Sequence, residues 1–200
     1  MKIKWLSLPV AGIAAIVIYI LFTVVAYFRY PGSYGPSSNW LSDLGNPLVN
    51  PSGAIYYNLG CILTGLELNI FYSGLSQWNT GDKKMRVLLA VAQTAGVIAS
   101  FSLVFAALFP LGTHTAAHEF WSKMISVFMG FFLTFSATAL LKHRAFIRWF
   151  GYYAFFAAAV NFTYGVFLHS VYLAEWISIG MFIVYVFMVA YNSRSLGRSR

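Results

Sequence analysis

Long apolar runs alternate with short polar ones along the whole chain. The first run, residues 8–28, has Thr23 as its most polar member and Pro9 in its first turn, where a missing N–H costs little. Residues 54–75, 87–109 and 119–141 form three more. A helix needs about 20 apolar residues to cross the hydrocarbon layer, so each run is a candidate span. Residues 151–191 are too long for one crossing, because at 1.5 Å per residue they would reach about 60 Å, roughly twice that thickness. They must fold back, and His169-Ser170 is the strongly polar pair nearest the middle. The pattern therefore predicts an all-α integral membrane protein. It would be a six-transmembrane-helix bundle in one membrane domain (residues 1–200), its last two spans at about 151–168 and 171–191. The opening MKIK could be taken for the start of a signal peptide. The apolar run behind it outlasts the roughly 7–15 residues of a signal core, and no small-residue cleavage site follows. An uncleaved first helix is expected.

Composition agrees. Of the 200 residues, 60% are apolar and 9% charged, against about 25% charged in a soluble domain. A soluble enzyme, a disordered chain and a disulfide scaffold are excluded. The single Cys61 rules out an internal disulfide and a Cys-X-X-Cys site.

The net charge of +8 would suit nucleic acid, but its distribution argues otherwise. Lys2 and Lys4, then Lys83, Lys84 and Arg86, then Lys142, Arg144 and Arg148, and finally Arg194, Arg198 and Arg200 all fall on one side of the expected bundle. Only Arg29 and Lys123 fall toward the other. The positive-inside rule then places both termini in the cytoplasm. The expected partners are membrane lipids, whose anionic headgroups attract such a face, with no nucleic acid; a homo-oligomer is compatible. Trp5, Trp78 and Trp149 fall at cytoplasmic ends of spans, and Trp40, Trp121 and Trp176 at or near outer ends. Indoles prefer the headgroup level, which supports the segmentation.

One connection is long. Residues 30–53 carry Pro31, Pro36, Pro47 and Pro51 together with four glycines. Loops of this length in compact proteins are often lids or binding loops. Trp40, Leu41, Leu44 and Leu48 offer apolar anchors, so an ordered outer loop is expected.

Of the acids and imidazoles, Asp43, His114, His118, Glu119, His169 and Glu175 gather on that outer side, while Asp82 and His143 fall in cytoplasmic loops and Glu67 inside a span. His114 and His118 are four apart and would share a helical face, a spacing that suits two ligands to one divalent metal such as zinc. Asp43, His169 or Glu175 would supply a third ligand. Histidines at an interface also commonly bond only to water and backbone. Ser42-Asp43 facing the histidines could form an acid/base set, although Ser and Asp before Gly45 are also ordinary turn formers. Glu119 and Lys123 make a favourable i, i+4 pair, and Glu175 benefits from a helix N-terminus.

Inside the spans, Glu67 is the costly residue, since an ionised carboxylate at that depth costs at least about 2.5 kcal/mol. It is expected to face the protein interior, with Gln93 as its partner. Asn58, Gly65 and Asn69 fall within about 40° on the second helix. Asn161, Gly165 and His169 align on the fifth. Such stripes usually mark helix-helix contacts.

The stretch NWLSDLGNPLVNPSGAIYYNLGCILTGL, followed by FPLGTHTAAHEF, resembles the domain-of-unknown-function 998 family of prokaryotic membrane proteins and, distantly, the damage-regulated autophagy modulator group. The matching residues are Ser42, Asp43, Gly45, Pro47, Asn58, Gly60, Phe109 and Pro110, with His114 or His118. The resemblance implies six helices and an outer site built from the first loop and the start of the fourth span. The ceramidase and adiponectin-receptor superfamily places a Ser four residues before a His; here Pro110, His114 and Gly165 occupy the corresponding positions.

The functional expectation is recognition, and if catalytic the hydrolysis or modification, of a lipid-like molecule at the outer leaflet. Ser42, Asp43 and His118 would be the catalytic groups and His114, His118 and His169 the metal ligands. Two alternatives stand beside it: a small-molecule or proton transporter using Glu67, and a haem-binding electron-transfer protein with His118 and His169 as opposed ligands.

Overall fold

A computed structural model of the chain describes residues 7–197. Lys2, Lys4, Trp5, Arg198 and Arg200, used above for orientation, lie outside the described residues. Six long helices form the bundle: α1 (Ser7–Tyr27), α2 (Ala54–Gly74), α3 (Lys83–Leu108), α4 (Thr115–Leu140), α5 (Arg148–Val166) and α6 (Tyr172–Ser193). Consecutive helices pack side by side, and α1 closes the bundle against α6.

The expectation of six transmembrane spans is corrected. Four helices are long and apolar enough to cross a membrane: Leu8–Tyr27 of α1, then α3, α4 and α6. At 21 and 19 residues, α2 and α5 are long enough, so apolarity is what they lack. Asn58, Thr64, Glu67 and Asn69 dilute α2, while Arg148, Asn161 and a run of tyrosines dilute α5. Several of these polar groups point inward and serve as seams. Asn69 donates to the Gly65 carbonyl and accepts from the Ser100 hydroxyl of α3. A Cβ on Gly65 would come within 2.8 Å of the Ser100 carbonyl oxygen, so the two helices touch at backbone distance. Asn161 accepts from Ser178 of α6 at 2.8 Å.

α3, α4 and α5 begin earlier than the apolar pattern indicates. α3 starts at Lys83 because Asp82 caps it, its carboxylate accepting the Met85 N–H at 2.8 Å. α4 starts at Thr115, which brings His118 into its first turn. α5 and α6 are joined by residues 167–171, which contain His169-Ser170.

The expected Glu67–Gln93 partnership is absent. Gln93 donates instead to the Tyr72 and Ser73 carbonyls, while Glu67 is half-buried on α2. Trp78 also departs from expectation, being a core residue and not a headgroup anchor. It is fully buried, donates to Ser193 at 3.0 Å and meets the His143 and Phe146 rings edge-on. Asn192 bridges the Ala145 carbonyl and the Ile147 N–H, so the C-terminal end of α6 is tied to the α4–α5 turn.

At the opposite end, residues 30–53 fold over the bundle around one short turn of 3-10 helix, Leu41–Gly45. Leu41 and Leu44 are buried and Trp40 meets Tyr172 edge-on, whereas Leu48, expected as an anchor, is exposed. Asn50 donates to the Ala26 and Leu44 carbonyls, and Asn58 to that of Gly45. Trp176 of α6 donates to the Asn39 carbonyl. Gly45 is required here, because a Cβ would collide with the Asn58 amide oxygen. Gly112, at φ +87°, holds the α3–α4 turn against Asn46 in the same way.

Candidate functional site

The folded loop covers one end of a partly open cavity with about 80 Å³ of internal space. Its walls come from α1 (Ala15, Tyr19), α2 (Tyr57, Thr64), α3 (Leu103, Ala107), α4 (His118, Met129) and α6 (Glu175, Phe182), with Ser42 of the loop at the top. At 1.5 Å per residue the lining stretch of α4, from His118 to Met129, covers about 16 Å. The cavity is thus long and narrow. Polar groups (Ser42, Tyr19, Tyr57, His118 and Glu175) collect at the roofed end. Leu68, Met129, Phe182 and Val186 line the deep end.

His118 owes its position to the early start of α4. Its Nδ1 lies 2.9 Å from the Ala106 carbonyl oxygen and 3.1 Å from that of Phe109. Carbonyl oxygens only accept, so Nδ1 carries the proton and Nε2 of the neutral ring is an acceptor. That Nε2 is buried without a hydrogen-bond partner, and the side chain is only 9% exposed. A buried polar atom left unpaired costs about 1–3 kcal/mol unless a guest satisfies it. Thr64 Oγ1, also in the cavity wall, is a second such atom.

Glu175 sits in the first turn of α6, buried, with the Leu41 N–H donating to its Oε2 at 2.6 Å. Ser42 lies beside the same carboxylate. Tyr19 and Tyr57 join their hydroxyls at 3.3 Å across the α1–α2 seam. Among the described residues, no Lys or Arg lines this cavity. Arg29 lies over the Tyr56 ring at 4.5 Å instead, and Lys123 is exposed.

The sequence-derived site is only partly assembled. Ser42 and His118 share the cavity, but Asp43 does not line it. Asp43 accepts the Trp40 N–H at 3.0 Å and closes the 3-10 turn, the turn role its neighbours suggested. It remains within electrostatic range of His118. Burial pushes its carboxyl above the usual aspartate range, against the opposing pull of the Trp40 N–H, Asn39 and His118.

The three-histidine metal site is corrected. His114 is exposed and touches Thr113. His169 stacks on Tyr164, with centroids 5.3 Å apart, and burial together with Lys123 pushes its imidazole toward the neutral form. Among the described residues, no three His, Cys, Asp or Glu side chains come close enough to hold one ion. Glu67 and His169 both lie outside the cavity wall. Asn58 lines it and also anchors the loop, whereas Gln93 and Asn161 serve helix packing. The sequence offers Glu175 both as a third metal ligand and as a residue favoured by a helix N-terminus, and gives no sign of Tyr19 and Tyr57. The one available signal was a carboxylate in the first turn of an apolar helix.

No curated protein and no solved structure matches the chain. The family model described as "Protein of unknown function (DUF998)" matches residues 13–192, and the chain, a multi-pass membrane protein by its long apolar helices, belongs to that family.

Proposed function

We propose that the protein binds a lipid-like amphipathic molecule in the roofed cavity, polar end toward His118, Glu175 and Ser42 and apolar tail along α4 and α6. The carrying observation is the unpartnered, buried Nε2 of His118 at the polar end of a passage whose deep end is apolar. Ligand pockets are typically apolar with a few convergent polar groups, and this one has that composition.

The basic groups Lys83, Lys84, Arg86, Lys142, Arg144, Arg148 and Arg194 lie at the end of the bundle away from the cavity roof. Read by the positive-inside rule, that end and both termini face the cytoplasm, and the roofed end opens to the outer leaflet.

Native mass spectrometry of protein taken from membranes tests the binding. A retained amphiphile is expected on the wild type and not on Ser122→Phe, which fills the wall beside His118. Equal loading of the two proteins would count against the cavity.

A further inference from the structure

Building on the binding reading above, we infer that the preferred guest is a single-chain amphiphile with an ammonium headgroup. The roofed end is rich in acceptors. Glu175 offers a carboxylate, and His118 offers the lone pair of Nε2. Its two tyrosine hydroxyls spend one proton on the bond between them, and the remaining one faces these acceptors.

The charge balance points the same way. A buried carboxyl group without a cationic partner ionises only at a cost in a low-dielectric interior, and a guest cation removes that cost. Among the described residues, the wall contains no Lys or Arg that could compensate Glu175. Arg29 is held by Tyr56 and Lys123 is exposed. A guest ammonium would supply a positive charge for Glu175 and find a second acceptor, His118 Nε2, in the same wall. A phosphate or carboxylate headgroup would instead face the lone pair of His118 and keep Glu175 from ionising, with no Lys or Arg among the described wall residues to receive it, a mismatch that discriminates against anions. The cavity is partly open and has about 80 Å³ of internal space, which leaves no room for the two chains of a bilayer lipid, so a guest would seat one slender chain in part.

Calorimetric titration of the full-length protein in a neutral detergent tests this, with decylamine, decanol, decyl phosphate and butylamine as probes. Decylamine is expected to bind tightest, by about tenfold or more over decanol, the size expected of one charged hydrogen bond. Decyl phosphate is expected to bind weakest. Butylamine should bind more weakly than decylamine, because it leaves the apolar passage empty. In Glu175→Gln, which keeps an acceptor for the Leu41 N–H, the amine-to-alcohol ratio should fall toward one. Equal or tighter binding of decanol or decyl phosphate by the wild type would overturn the ammonium assignment and leave the cavity reading standing. Failure of every decyl compound to bind would overturn both. The wild-type series does not depend on how well any variant folds.

Discussion

Glu175 Oε2 accepts the backbone N–H of Leu41 at 2.6 Å, across 134 residues of sequence. This bond pins the loop to the start of α6 and also brings a carboxylate to the cavity roof. Glu175→Ala should leave a buried N–H unpaired and cost about 1–3 kcal/mol, whereas Glu175→Gln should cost clearly less. Thermal unfolding of the two variants in one detergent checks the difference.

His118 ties the first turn of α4 to the end of α3 through two carbonyls. The ring should be the Nδ1–H tautomer, which nitrogen chemical shifts of ring-labelled protein report directly. His118→Phe keeps a ring but strands both carbonyls, with an expected loss of about 1–3 kcal/mol. A ring protonated on Nε2 alone would contradict the assignment.

Gly45→Ala forces a Cβ into the Asn58 amide and within 2.8 Å of the Tyr57 ring. Overpacking of this kind costs about 1–3 kcal/mol, and the docked loop should become more open to protease. Gly35→Ala in the same loop meets nothing within 4 Å and should be close to neutral. Limited proteolysis of the pair separates a docked loop from a free tether.

Asp43 carries a pH signature. Burial raises its carboxyl in the folded protein above the usual value, so folding favours the protonated form. Its contribution to stability is therefore fullest below the ordinary aspartate pKa of about 3.9 and is lost as pH rises through the higher folded value. Asp43→Asn retains an acceptor for the Trp40 N–H and should gain stability relative to wild type over that rising limb. Unfolding midpoints of both proteins across mildly acidic pH check the sign.

The bundle was largely legible because long apolar runs report helices whatever their neighbours do. The count of spans was not, because α2 and α5 place amides and hydroxyls into seams such as Asn69–Ser100 and Asn161–Ser178. Those groups lower apolarity without reaching lipid. His118 was visible as an imidazole near an interface, but its orientation depends on carbonyls exposed where α3 ends. Glu175 was legible as an outer-side carboxylate but its burial was not, because that exists only once a loop distant in sequence has folded over it. Trp78 misled for a similar reason, since its indole faces Ser193 and not the headgroups.

Orientation is open to labelling. Ser38 and Thr80 are exposed at opposite ends of the bundle, and Cys61 is buried. In intact cells, Ser38→Cys should react with an impermeant maleimide and Thr80→Cys should react only after permeabilisation. The reverse pattern would overturn the proposed orientation.

The occupant of the cavity can be located most directly with an alkylamine carrying a photoreactive diazirine halfway along its chain. Crosslinking followed by peptide mapping should place the label on the inward positions Ile125 and Met129 of α4 and Ile179, Phe182 and Val186 of α6, and competition by decylamine should remove it. Label confined to outward positions such as Val87, Val91 and Phe101 of α3, undiminished by the competitor, would show that the chain meets lipid only on its outside and that the cavity holds no guest.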